Sequence, residues 1–215
     1  MRVCVMTANL GKFDSEVLNI KQDVEHTFHR WTDDNFPPIS GLTSRLQYRI
    51  PKMFGWQMLP GFDYYLWLDG SMSLQDPTSL SWFLEKCKDH DIVLFKHPWR
   101  DTMKEETDYI EKKLKEGNNY ITSRYKNGLH KEQLADCMMD KDFHDTRLYA
   151  STAFMYKDSA QVREMFRLWW IHTSRYFTVD QIALPYVLWK SNLNVNMIEE
   201  DIFHHSKISV TSKHK

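Results

Sequence analysis

The chain has 215 residues, with 28 Lys plus Arg against 29 Asp plus Glu, a balance that offers no basic field for nucleic acid or an anionic membrane surface. Seven glycines and seven prolines leave little room for long linkers, and a chain of this length can bury one sizeable core. Cys4, Cys87 and Cys137 are odd in number and widely spaced, as reduced thiols are, and no run reaches the roughly 18 apolar residues of a membrane span.

Arg2 is the single basic residue before an apolar run that stops at Asn9, too short for a signal peptide. A soluble protein of a reducing, cytoplasmic compartment is the expectation. Residues 2–7 read as a first strand, with Ala8-Asn9-Leu10-Gly11 turning at its end. A second strand over residues 26–31 runs into Thr32-Asp33-Asp34-Asn35, and Pro37-Pro38 closes the loop. Residues 43–59 carry a helical pattern that Pro51 is expected to interrupt. Tyr64-Tyr65-Leu66-Trp67-Leu68 fits a short buried strand, which ends abruptly in Asp69-Gly70-Ser71.

Pro77 can open a helix that turns Leu80, Phe83, Leu84 and Cys87 inward, and residues 92–95 are another buried strand. Residues 102–116 form a charged amphipathic helix with Met103, Ile110 and Leu114 as its apolar positions. Residues 148–156 read as a strand, 160–174 as a Trp-rich helix, 179–190 as a further helix and 194–198 as a last strand. Asp201-Ile202-Phe203-His204-His205 follows, and the tail from Ser209 is polar and expected to fray. Strands alternating with helices imply an α/β layered fold.

Four polar groups fall at the predicted element ends. Thr7-Ala8-Asn9 follows the first strand. Arg45, Arg49 and Lys52 are spaced i, i+4, i+7, and on one helical face they could clamp a diphosphate through bidentate Arg contacts. Pro51 is expected to break that face between Arg49 and Lys52, and a solvated basic stripe is the alternative. Asp69, with Ser71, ends a buried strand, where a carboxylate needs a cation, hydrogen bonds or water. Ligands of open α/β sheets bind at that edge, and Mg²⁺ or Mn²⁺ takes one or two protein carboxylates plus phosphate oxygens. A plain strand followed by an Asp-Gly turn is the alternative. His204-His205 is the fourth group; imidazole beside a carboxylate favours Mn²⁺, with surface decoration as the alternative. There is no GxGxxG, Walker A, CxxC, HExxH or GxSxG sequence.

In this order the segments resemble nucleotide-sugar-dependent glycosyltransferases of the GT-A fold. Residues 3–11 resemble the first strand and nucleotide-binding turn. Trp67-Leu68-Asp69-Gly70-Ser71 resembles the metal-binding DxD strand end, with Ser71 in place of the second acid. Ser174-Arg175 with Val179-Asp180-Gln181 resembles the DQ motif of glycogenin-type transferases, and Phe203-His204-His205-Ser206-Lys207 resembles a late metal-binding histidine with a nearby lysine. A closer similarity is to a plant and bacterial glycosyltransferase-like family with W-I-D-G followed by Asp-Pro, H-P-x-R, and a Trp pair ahead of DQ. Here these stand as Trp67-Leu68-Asp69-Gly70 with Asp76-Pro77, His97-Pro98-Trp99-Arg100, and Trp169-Trp170 ahead of Asp180-Gln181. The chain is also similar to the N-terminal transferase domain of a multidomain chlorella-virus protein that builds capsid glycans.

The resemblance implies an α/β, GT-A (Rossmann-like) central mixed sheet flanked by helices. One transferase domain would span residues 1–208, with a polar tail over 209–215. It implies transfer of a hexosyl-type sugar from a UDP-sugar donor to a glycan acceptor, assisted by Mn²⁺ or Mg²⁺; the DQ pattern favours retention, with inversion and a carboxylate base as the alternative. Asp69, Ser71 and His204 or His205 would hold the metal. Thr7, Ala8, Asn9 and Leu10 would line the nucleoside pocket, with Asp33 accepting from uracil N3, while Arg45, Arg49, Lys52 and Lys207 serve the diphosphate. Asp180 and Gln181 would face the sugar, and His97 and Arg100 would reach donor or acceptor hydroxyls. Asp180 is also readable as the N-cap of its helix. The expected partners are the donor, the acceptor glycan and further domains of a longer polypeptide, with no nucleic acid and no membrane span. A non-catalytic binding protein, favoured by Ser71, and a nucleotide-sugar hydrolase are the competing classes.

Overall fold

The structure, a computed structural model, describes residues 1–14 and 20–210. Its centre is a six-stranded sheet. β1 (Val3–Asn9) pairs in parallel with β2 (Thr27–Thr32) on one side and β3 (Tyr64–Leu68) on the other. β5 (Ile92–Lys96) and β7 (Val195–Ile198) pair in parallel, and β6 (Tyr149–Lys157) runs antiparallel between β3 and β5. The order is β2-β1-β3-β6-β5-β7, so the expected central mixed sheet flanked by helices is present. Because β6 runs against its neighbours, its N-terminal end shares an edge with the C-terminal ends of β1, β3 and β5. His97 N donates to Leu148 O at that edge, and Asp69 N donates to Thr152 O.

Successive side chains of a strand face opposite sides of a sheet, and here both sides are covered. Met6, Ala8, Tyr65, Trp67, Phe154 and Tyr156 pack under α1 (Ser44–Met58), α6 (Ala160–Tyr176) and α7 (Asp180–Lys190). Val5, Leu66, Leu68, Val93 and Met155 pack on the other side, against α2 (Ser79–Cys87) and a small antiparallel pair, β4 (Met72–Leu74) with β8 (Ile208–Val210). A third apolar cluster joins α3 (Met103–Lys115), α4 (Asn119–Tyr125) and α5 (His130–Met138) to the start of α7.

Several expectations are corrected. α1 is not broken at Pro51: it runs on, and the departure from helical geometry lies at Phe54 (φ −122°). Packing outweighs the lost proline N–H here, because Met53 and Trp56 are buried and Gly55 lets the helix close on β1. A Cβ at Gly55 would stand 2.5 Å from Met6 Sδ. Arg45, Arg49 and Lys52 therefore lie on one unbroken stretch. β1 continues through Ala8 and Asn9, since both stay in register with β2, and the turn moves to Leu10, Gly11 and Lys12, the last two at positive φ. Ser209 and Val210, expected to fray, pair with β4, while residues 211–215 of the expected tail lie outside the described residues. Among the described residues no helix is long and apolar enough to cross a membrane.

Candidate active site

β3 ends at Leu68 and the chain turns at once, with Met72 N donating to Asp69 O at 2.8 Å. Gly70 is required by the close approach of β1: a Cβ there would lie 2.7 Å from Ala8 O and 2.5 Å from Asp14 Oδ2. Asp69 Oδ1 accepts from three donors, Trp67 Nε1 at 2.8 Å, Tyr48 OH at 2.9 Å and Lys52 Nζ at 3.2 Å. Trp67 reaches it because residues two apart on a strand share a face. Asp69 Oδ2 has no hydrogen bond among the described residues, and the side chain is 23% exposed, so the carboxylate keeps acceptor capacity for a ligand. Burial raises the Asp69 pKa, with Lys52 opposing the rise.

Lys52 is the centre of the cluster. It is 2% exposed, and its ammonium also lies 2.7 Å from Asp180 Oδ2 and 3.3 Å from Ser151 Oγ. Three protons meet three oxygens. Asp180 is the first residue of α7, after the N-cap Val179, so its expected role as N-cap is corrected. Burial alone would raise its pKa, but Lys52, Arg49 and Arg45 together hold it well below the usual carboxylate range. Trp169 Nε1 donates to Asp180 O at 2.8 Å, which fixes the start of α7. Gln181 follows, half-buried.

The same face of α1 supplies the other cations. Arg49 is buried and donates from Nη2 to Thr178 O at 2.6 Å. Arg45 lies 3.5 Å over the Tyr125 ring. In the turn after β1, Thr7, Ala8 and Leu10 are buried, and Asn9 exchanges hydrogen bonds with the Asp14 backbone at 2.8 and 3.1 Å. Both oxygens of Asp33 accept from Gly11 N at 3.0 Å, so Asp33 pins this turn. Of the four residues expected to line a nucleoside pocket, only Asn9 is less than fully buried.

His97 lies at the same sheet edge, buried beyond β5. Its Nδ1 accepts from Trp99 N and Arg100 N at 3.3 and 3.2 Å, and its Nε2 lies 3.3 Å from Arg100 Nη2, a group that can only donate, so both ring nitrogens face donors. Burial, aided by Arg100, lowers its pKa to about 4. Arg100 pairs with Glu106, whose pKa is raised by burial against the pull of Arg100, and which also feels the charge of Asp180. A histidine with a depressed folded pKa makes the unfolded chain the better proton acceptor between the two values. Stability should therefore fall as pH drops from about 6.5 to about 4, and His97→Gln should flatten that part of the curve. Melting curves of both proteins across this range check it; parallel profiles would remove His97 from the explanation.

The late histidines have partners of their own. His204 is exposed, with Nδ1 2.7 Å from Asp201 Oδ2. His205 packs against the Trp82 and Phe95 rings and accepts at Nδ1 from Lys207 N. Lys207 Nζ donates to Asp76 Oδ1 at 2.8 Å and Thr78 Oγ1 at 2.7 Å, bracing the approach to α2. Neither histidine is hydrogen-bonded to Asp69 or to the half-buried Ser71. Among the described residues no three His, Cys, Asp or Glu side chains converge as a metal site. Asp69 Oδ2 on its own fits a divalent cation that takes its other ligands from phosphate and water.

Sequence reasoning passed over Tyr48, Ser151, Glu106 and the Trp67 indole. Tyr48 had a signal, since it stands at i+3 from Arg45 on the face already singled out. Ser151 and Glu106 had none.

The family model described as TOD1/MUCI70, glycosyltransferase-like domain matches residues 42–214. That span holds Arg45, Lys52, Asp69, His97 and Asp180 and leaves out β1 and β2. No curated protein matches the chain.

Proposed function

The chain belongs to the TOD1/MUCI70 glycosyltransferase-like family, and on that premise we propose that it transfers a sugar from a UDP-sugar donor to a glycan acceptor, assisted by Mn²⁺ or Mg²⁺ at Asp69. One observation carries the proposal: a single buried ammonium, Lys52, joins the strand-end carboxylate Asp69 to the helix-opening carboxylate Asp180. An edge carboxylate with acceptor capacity for a ligand and a second carboxylate held ionised suit the two ends of a glycosyl transfer. A departing diphosphate gathers negative charge, and a divalent cation, when bound, neutralises part of it. Asp69 Oδ2 would be its protein ligand, and Arg45 and Arg49 add fixed positive charge beside it. Asp180 would face the positive charge that develops at the anomeric carbon, in a retaining reaction, with Gln181, His97 and Arg100 reaching sugar hydroxyls. Asp33, which accepts from Gly11 N in the turn after β1, would accept from a uracil N3–H.

Turnover of a panel of UDP-sugars, with and without acceptor glycans and with Mn²⁺ or EDTA, tests this reading. UDP with Mn²⁺ should raise the melting temperature more than AMP does, as a native-state ligand must. Asp69→Asn keeps the shape and removes the charge, and should lower turnover by at least about a hundredfold. Turnover undiminished in EDTA would take the metal out of the mechanism. Ser71, where a second acid would stand, favours a second reading as a binding protein; nucleotide binding with no turnover of any donor would establish it.

A further inference from the structure

A third guanidinium acts on Arg45 from a helix that the sequence pattern did not announce. Arg124 of α4 lies 3.8 Å from the Tyr120 ring centroid and 4.4 Å from that of Phe13, in the loop after β1. Its Nη1 donates to Tyr120 OH at 2.6 Å. The next residue, Tyr125, carries the Arg45 guanidinium on its ring. Arg45 Nη1 is buried and has no hydrogen-bond partner among the described residues. The charged groups that face Arg45 are Arg49 and Arg124, both cationic, and Asp180, whose Oδ2 is already on Lys52. Burial, with Arg49 next, pulls the Arg45 pKa down to about 8, so the folded chain holds this charge under strain.

A buried donor without an acceptor needs a physical explanation, and a bound anion supplies one. Guanidinium forks match the paired oxygens of phosphate groups better than any other side chain. Through Phe13, Arg124 also brings α4 against the turn after β1, at the sheet edge that carries Asp69.

We propose that Arg45 and Arg124, together with Arg49, hold the diphosphate of the donor by themselves, so that the nucleotide binds without a divalent cation and the cation at Asp69 serves transfer alone. This rests on the transferase reading for the identity of the ligand, and on the arginines alone for the site.

Titration calorimetry with UDP, inorganic pyrophosphate and uridine, all in EDTA, tests it. Wild-type protein should bind both UDP and pyrophosphate, and Mn²⁺ should change the UDP affinity by less than about tenfold. Arg124→Gln and Arg45→Gln should each weaken UDP and pyrophosphate roughly 10–100-fold, the scale of a lost charged hydrogen bond, and leave uridine unchanged. Arg124 is half-buried on a surface helix, so that variant should fold, as a melting curve will show; Arg45→Lys keeps the buried charge without the fork and should fall between. Absence of pyrophosphate binding in EDTA, or an Arg124→Gln protein that binds UDP like wild type, overturns the proposal. Arginine-dependent pyrophosphate binding without turnover of any nucleotide sugar would sink the transferase reading and leave the anion site standing. Transfer by arginine variants of unchanged UDP affinity would do the reverse.

Discussion

Lys52→Met should lower the melting temperature by roughly 6–20 °C. The substitution fills the same space but leaves Asp69 and Asp180, both ion-paired to Lys52, without their shared cation. Removing one partner from a buried ion cluster costs about 3–5 kcal/mol, and about 2–4 °C per kcal/mol is typical for a chain of this size. The loss comes from the stranded carboxylates and not from the missing attraction, so neutralising them should give much of it back. The triple variant that adds Asp69→Asn and Asp180→Asn to Lys52→Met is expected to melt closer to wild type than Lys52→Met alone. A Lys52→Met protein that melts within two or three degrees of wild type would mean that the ammonium does not hold the cluster together.

Asp180→Asn should reduce kcat by about a hundredfold, the scale of one lost electrostatic stabiliser, with nucleotide affinity near the wild-type value. That split marks an interaction made chiefly in the transition state. Asn is as good an N-cap as Asp, but Val179 holds that position, so the substitution has no capping role to preserve. The same variant has a signature in acid. The folded-state pKa of Asp180 is depressed, so its stabilising contribution is present above the ordinary carboxylate range and is lost as pH falls through the folded value. Asp180→Asn should therefore show a shallower loss of stability on acidification. Unchanged kcat would move Asp180 from the chemistry to the architecture.

What could be read ahead of the structure follows from the range of the interactions involved. β3 was legible residue for residue, because five apolar residues end at an Asp-Gly pair. β1 ran two residues further than its turn signals suggested, since the ladder to β2 holds Ala8 and Asn9 extended and a local reading does not see its partner. α4 buries only Ile121 and Tyr125, one i, i+4 pair, too little for a periodic signal, and Arg124 went with it. The site was half legible. Asp69, Asp180, Arg49 and Lys52 could be named as types of residue at element ends. That one ammonium joins two of them could not, because the bridge exists only when α1, β3 and α7 meet. The histidine pair was legible as a motif but not in its contacts, because Trp82 and Phe95, which pack on His205, come from distant stretches of the chain.

The pairing of β4 with β8 has a kinetic consequence. Ser73 and Ser209, whose hydroxyls meet at 3.1 Å, are 136 residues apart, and β4 begins directly after the turn that carries Asp69. Contacts that close so long a loop form late, after the more local pairings have shortened it. β4 should thus gain its partner only as the last strand docks, after the parallel pairing of β1 with β3 has already set the strand end from which it leaves.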